Sequence, residues 1–443
     1  MARTAKRDLT RQQQLARGPI DLPYLGLVLI LLGIGLVMLL SSSSYVASVE
    51  AKPSHYDGAY YFKRQAAFAV MGLVVMYFVS RFDYQKLRGL SVFVLGIAIL
   101  LLIAVLIPGV GQTHNNSTRW LKIGVEFQPS EIAKIGVVLF FSARLCKREQ
   151  YKKKPSKRHY NKVLEAVRTF WYWSELNELW PLILILALLA GLLGMEPHLS
   201  AAILVVAAAA AIMFAAGVKL FWFFVGGGFC TFCVWFMLVV IKYNGSRIAM
   251  WKDPWQDPGN KGYQIIQSLY AVASGGLSGL GFGMSRQKFQ YLPEEQNDYI
   301  FSIVCEELGF IGAVIIIALF ALLVIRGYWL ALHARDRFGA LTIVGINTLM
   351  AVQVFLNIAV VTNLIPSTGI SLPFFSYGGT ALVIQLAEMG VVLSVSRQIP
   401  APPEPAEKPM TRAEKKALKA ARKAKAKAEK AAAKEAAANK TSV

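Results

Sequence analysis

Ten apolar stretches of about 15–26 residues, parted by polar or basic segments, constrain this chain more than any other feature of it. They run approximately over 22–42, 65–80, 90–108, 130–146, 180–195, 199–217, 220–242, 300–325, 340–362 and 374–396. Wound as a helix, an apolar block of roughly 20 residues matches the hydrocarbon thickness of a bilayer. Inside that layer the backbone must satisfy its own hydrogen bonds, which leaves helices or closed barrels. The blocks lack the alternation of a strand, so the predicted fold is an all-α polytopic membrane protein with ten transmembrane helices. The first block is too long for a signal-peptide core and reads as a retained anchor. Composition agrees: 55% of the residues are hydrophobic and the mean hydropathy is +0.47.

Charge then orients the helices. The chain carries a net +21, and eighteen of those charges lie in 1–20, 147–168 and 401–443. A strongly basic protein invites a nucleic-acid reading, but separate basic blocks flanking apolar spans fit the positive-inside rule instead, and no nucleic-acid partner is expected. With the N-terminus cytoplasmic, ten spans return the C-terminus to the same side. Arg81, Lys86, Arg88, the basic loop 147–179, Lys219, Arg326, Arg335 and Arg337 then fall inside. The long segment 243–298, between the seventh and eighth helices, falls outside with five basic and five acidic residues. The predicted organisation is a basic cytoplasmic tail (1–20), a membrane domain (21–398) and an Ala/Lys/Glu-rich cytoplasmic tail (399–443). That tail reads as a solvated, partly helical run; attraction to anionic lipid, ~1 kcal/mol per basic residue near the surface, is the sharper alternative. Cys146, Cys230, Cys233 and Cys305 read as small buried apolar residues, not as a disulfide or metal framework.

Polar residues inside such a chain are the candidates for chemistry, because an unpaired buried charge costs several kcal/mol. Asp298 is the last acid before the eighth span, in KFQYLPEEQNDYIFSIVCEELGFIG (288–312). Glu306 and Glu307 follow inside that span, with Lys134 or an arginine as the expected partner type. Pro129 and Ser130 mark a helix start, with Ser130 as a possible cap. Glu131 and Lys134, three apart on one face, are either a self-neutralising pair or a charged wall for an anionic group. Glu196 and His198 read as part of an outer surface turn. The series Gly279, Gly281, Gly283 lacks the preceding strand of a dinucleotide site and reads as flexible backbone against a lipid-linked ligand. Gln353, Asn357, Asn363, Gln385 and Glu388, with the Pro/Gly/Ser-rich turn before the last span, point to a polar cavity opening outward. Gln264, Gln267, Ser285 and Ser376 are candidates to line it.

Four stretches then resemble one family: RWLKIGVEFQPSEIAK (119–134), DPWQDPGNKGYQIIQSL (253–269), GLGFGMSRQKFQYLPEEQNDYIFSIVCEELGFIG (279–312) and NLIPSTGISLPFFSYGGTAL (363–382). They resemble the SEDS polymerases of shape, elongation, division and sporulation, the FtsW/RodA/SpoVE-like proteins, with details closer to the FtsW-like division branch. The resemblance implies an inverting glycosyltransferase that polymerises lipid II on the outer face of the bacterial plasma membrane. It also implies a class B penicillin-binding transpeptidase and other divisome proteins as partners. It maps the family's essential acid onto Asp298 and its paired Glu and Lys onto Glu131 and Lys134. Arg119, Glu131, Lys134, Arg247, Lys288 and Glu306 are the candidates around the substrate and its diphosphate, and a divalent cation, Mg2+ or Mn2+, could share that role. Two departures stand out. Gln296-Asn297-Asp298-Tyr299 replaces the family's His-Thr-Asp-Phe, and Pro197-His198-Leu199-Ser200 replaces its Pro-Asp-Leu-Gly. The competing classes are a lipid flippase or secondary carrier, which would show an internal repeat, and a non-catalytic divisome scaffold. A rod-elongation or sporulation member of the same family also remains open.

Overall fold

The computed structural model describes residues 18–50, 57–114, 117–123, 125–148, 175–239 and 245–399. The N-terminal basic tail up to residue 17, most of the 147–168 block and the tail from residue 400 lie outside the described residues. The described chain is mostly helical: α1 (Leu22–Glu50), α2 (Tyr60–Arg81), α3 (Tyr84–Leu106), α4 (Pro129–Leu145), α5 (Leu176–Met195), α6 (Leu199–Ala215), α7 (Leu220–Val239), α8 (Gly245–Lys252), α9 (Tyr263–Ser274), α10 (Ile300–His333), α11 (Arg337–Val361) and α12 (Gly379–Ser396). Each of the ten predicted stretches carries a helix. Seven of them are long and apolar enough to cross a bilayer: α1, α2, α3, α5, α10, α11 and α12.

Helix starts follow local chemistry. The Asp21 carboxylate accepts from the Tyr24 N–H at 2.9 Å, Asp83 accepts from Gln85 N–H, and Asp336 accepts from Phe338 and Gly339 N–H. These aspartates satisfy amides that a helix leaves without partners. Asp21 also pairs with Arg326 at 2.5 Å, tying the start of α1 to α10. Ser130 is not the cap of α4. Gln128 stands at that position with Pro129 after it, where a missing N–H costs nothing.

Burial identifies the centre. Two-thirds of α11 and of α12 is buried, against 22% of α2. α12 packs along α2, α4 along α3, and α11 against both α10 and α6. The outer helices keep apolar side chains such as Phe78, Phe93 and Phe224 exposed, which suits a surface facing lipid.

Two features depart from the sequence reading. The fold is not purely helical: β1 (Gly111–His114), β2 (Ser117–Ile123) and β3 (Val125–Phe127) form a three-stranded antiparallel sheet between α3 and α4. The signal was a short period of two, with Leu121 buried and Trp120 and Lys122 on the opposite face. Lys122 pairs in register with Glu126, so both stand on that face.

The second departure is a break in α10. Gly309 sits at φ 67 and ψ −170, splitting the helix into Ile300–Leu308 and Phe310–His333. The break frees backbone groups, and the segment 276–281 takes them. Leu280 and Gly281 N–H donate to the Glu306 and Glu307 carbonyls, while Phe310 and Ile311 N–H donate to Gly276 and Leu277 carbonyls, all within 3.1 Å. The fit is tight enough that a Cβ on Gly279 would lie 2.2 Å from the Glu307 carbonyl oxygen. Gly279 therefore packs backbone on backbone within the protein, while a Cβ on Gly283 would meet nothing within 4 Å.

Candidate active site

The four motif stretches, 119–134, 253–269, 279–312 and 363–382, all contribute side chains to one cavity of about 1100 Å³. Asp298 lines it, with Arg119 from β2, Glu131 and Lys134 from α4, Arg247 from α8 and Gln264 from α9.

The acid loop is held by three successive carbonyls. The Gln296 carbonyl accepts from Tyr377 N–H at 2.8 Å, the Asn297 carbonyl from the Ser376 hydroxyl at 2.6 Å, and the Asp298 carbonyl from the Asn357 amide at 2.8 Å. The backbone is thus fixed while the carboxylate remains available. Among the described residues that carboxylate accepts no hydrogen bond, and it stays half-buried with an open edge on the cavity. Loss of water, followed by the neighbouring Glu294 charge, pushes the Asp298 carboxyl up to about 6, against the downward pull of Arg119 and Arg247. A carboxylate near that value is a competent general base at neutral pH.

The cations around it are placed differently. Arg119 is folded onto the turn after α5, with Nε donating to the Glu196 carbonyl at 3.3 Å and a second nitrogen to the Pro197 carbonyl. Arg247 is exposed and reaches the Ser367 carbonyl at 3.4 Å. Deeper in, the Lys134 ammonium lies 2.7 Å from the Glu131 carboxylate and 3.4 Å from the Gln353 side-chain oxygen. Both members of that pair are buried, and both face the cavity.

Five expected residues lie elsewhere. Glu306 points away from the cavity. Its carboxylate accepts from the Ser274 and Ser285 hydroxyls and from the Arg286 and Gln287 N–H groups. Lys288 is buried and bound to the Gly283 carbonyl at 2.5 Å, with the Glu307 carboxylate 3.5 Å away. Glu307 also accepts from the Ser41 hydroxyl of α1 at 2.6 Å, so neither acid of this pair uses Lys134. Ser285 belongs to the Glu306 cluster and Ser376 to the tie on Asn297. Gln267 stands one turn beyond Gln264, about 5 Å further along α9, and does not line the cavity. Glu306 lies eight positions beyond Asp298, about 80° round a regular helix, so the two acids face different ways.

The turn read as surface is interior. Glu196 and His198 are buried, and the His198 ring faces the cavity with its nitrogens 3.4 and 3.5 Å from the Gln128 amide nitrogen. Burial and the nearby Arg119 and Lys134 charges hold His198 down at about 3, so its ring is neutral; burial pushes Glu196 up to about 8. Among the described residues no group of three His, Cys, Asp or Glu stands together to hold a metal ion on protein ligands alone. The sequence reading also missed Tyr60, Tyr61, Arg64, Lys122, Glu294 and Tyr377 as lining residues. Lys122, Glu294 and Tyr377 lie in quoted motifs; Tyr60, Tyr61 and Arg64 do not.

The model of a family described as "Cell cycle protein", FtsW/RodA/SpoVE, matches residues 23–400. The chain belongs to this family. Stage V sporulation protein E of Bacillus subtilis is 39% identical over 384 residues, covering 85% of this chain and 97% of that protein. The "Probable peptidoglycan glycosyltransferase FtsW" of Trichlorobacter lovleyi is 38% identical over 378 residues, covering 85% and 93%. A chain of a solved peptidoglycan synthase complex that coordinates polymerization and crosslinking superposes with a TM-score of 0.64 at 28% identity, covering 85% and 98%. Within the FtsW/RodA/SpoVE frame the two departures of this chain acquire places. Gln296, Asn297 and Tyr299 surround the acid without replacing it, and His198 puts a neutral ring on the cavity wall.

Proposed function

We propose that this chain is an inverting peptidoglycan glycosyltransferase that polymerises lipid II, with its cavity facing outward from the bacterial plasma membrane. The observation that carries the reading is Asp298: a backbone-pinned carboxylate with no hydrogen-bond donor among the described residues, open to a large cavity lined by arginine and lysine. Ionised Asp298 accepts the proton of the acceptor sugar's 4-hydroxyl as that oxygen attacks the donor's anomeric carbon. The bond from that carbon to the diphosphate breaks on the opposite side, which inverts the centre. The leaving undecaprenyl diphosphate gathers negative charge, and Arg119, Arg247 and Lys134 are the cations that line the cavity to receive it. Glu131 keeps Lys134 in place and moderates its charge. A volume of about 1100 Å³ suits two sugar units with their appendages better than one small ligand.

Names of relatives at 39% and 38% identity point to sporulation and division roles alike; the division branch, acting with a class B penicillin-binding transpeptidase, is the reading we adopt. Reconstitution of the purified chain with its transpeptidase and fluorescent lipid II tests the proposal. Glycan chains should form in wild type and not in Asp298→Asn. Movement of lipid II between leaflets without polymer would replace the enzyme by a transporter.

A further inference from the structure

One wall of the cavity has no part in the chemistry described above. It is built from Tyr60, Tyr61 and Arg64 on α2, Lys122 on β2, and Tyr377 in the turn before α12. The rings are consecutive neighbours: Tyr60 and Tyr61 lie 5.4 Å apart and Tyr61 and Tyr377 4.9 Å apart, both edge to face. Arg64 donates to the Tyr60 hydroxyl at 3.0 Å, with its guanidinium 5.7 Å from that ring's centre. Tyr60 lines the cavity and is 45% exposed, which leaves its ring open to a ligand.

We propose that Tyr60, Tyr61 and Tyr377, with Arg64 and Lys122, form a saccharide-binding wall that holds a sugar unit of the glycan beside the acid loop. The proposal rests on the polymerase reading above. A pyranose ring offers an apolar C–H face and a rim of hydroxyls, and phenol side chains match both at once. An isoprenoid tail would instead favour rings without hydroxyls and without charges among them. Burial pushes the Tyr377 phenol up against the pull of Arg64, so it stays a neutral donor for a sugar hydroxyl. Arg64 and Lys122, with Glu126 in register beside Lys122, leave the wall with one net positive charge for carboxylates carried by a muramyl peptide.

Rigidity supports the same assignment. Gln65 is 1% exposed and clamps the turn from both ends, its amide donating to the Ser376 carbonyl at 3.2 Å and its oxygen accepting from Gly378 N–H at 3.2 Å. Tyr377 N–H is bonded to the Gln296 carbonyl, two residues from Asp298. A sugar held on the wall is therefore held at a fixed offset from the base, and fixed geometry is what a general base needs.

The test uses the full chain in lipid nanodiscs and three probes: an N-acetylglucosamine–N-acetylmuramic acid tetrasaccharide, undecaprenyl diphosphate without sugars, and lipid II. Tyr61→Ala and Tyr377→Ala should each weaken tetrasaccharide binding about tenfold and raise the KM for lipid II, while Tyr61→Phe and Tyr377→Phe, which keep the ring and lose the hydroxyl, should weaken it less, about threefold. Binding of undecaprenyl diphosphate should not change in any of them. Wild-type protein that does not bind the tetrasaccharide, Ala variants that bind it normally, or a parallel loss of undecaprenyl diphosphate would each overturn the wall. Normal polymerisation with an unchanged KM in the Ala variants would reject the wall and leave the polymerase reading intact. Tetrasaccharide binding by a wild-type protein that makes no glycan would reject the polymerase reading and leave the wall.

Discussion

Asp298 and the pair Glu306–Glu307 lie within ten residues of each other at the head of one helix, and they have opposite fates. Each is an acid in or beside an apolar run, which alone marks all three as functional suspects. Glu306 receives two hydroxyls and two backbone N–H groups, and Glu307 receives Ser41 and Lys288. Those donors hold the segment 283–288 against α10 and exhaust the carboxylates. Asp298 has its backbone carbonyl tied down instead, and its carboxylate left open. The difference teaches that a buried acid is structural when its lone pairs are filled and chemical when only its position is fixed.

The contrast breaks if the two kinds of acid respond alike to mutation. Asp298→Asn should lower polymerisation by about 10²–10⁴-fold, the usual worth of a general base, with thermal unfolding unchanged. Breaking the buried pair by Lys134→Met leaves the Glu131 charge uncompensated and should cost about 3–5 kcal/mol of stability, seen as a lower unfolding temperature. The double variant with Glu131→Gln should recover part of that loss. Glu306→Ala strands the amides of Arg286 and Gln287 and should cost about 1–3 kcal/mol of stability, with turnover per folded molecule retained. If instead it abolished turnover in stable protein, Glu306 would rejoin the chemistry.

Two smaller effects sharpen the comparison. A base must be deprotonated to act, so turnover should fall about tenfold per pH unit below about 6, the level to which burial raises Asp298, and level off above it. A profile flat down to pH 4.5 would speak against Asp298 as the base. Gly369 sits at φ 67, and a Cβ there would lie 3.3 Å from the Asp298 carboxylate. Gly369→Ala should cost about 1–2 kcal/mol in backbone strain and crowd the base, measured as a severalfold drop in turnover.

Much of the fold was legible because bilayer physics leaves few choices. Block length, basic loops and the absence of alternation fixed where helices lie and which loops share a side. The β2 strand escaped because only a few residues alternate, and its Trp120 and Lys122 lay in a motif read for Arg119, Glu131 and Lys134. The His198 turn was misjudged because a polar turn between apolar blocks looks solvated until Arg119 folds onto it. Tyr60, Tyr61 and Arg64 gave no motif at all.

What the chain's sequence determined by itself was a helical membrane protein with Asp298 as its odd acid and Glu131–Lys134 as its buried pair. Those follow from local spacing and from the cost of charge in an apolar run. The tertiary structure decided which acids stay available, since that depends on donors such as Ser41, Ser274 and Lys288 arriving from distant segments. It also decided that three tyrosines from α2 and the last turn share one wall with the acid loop. No local rule brings residues some 310 positions apart together; packing of α12 along α2 does.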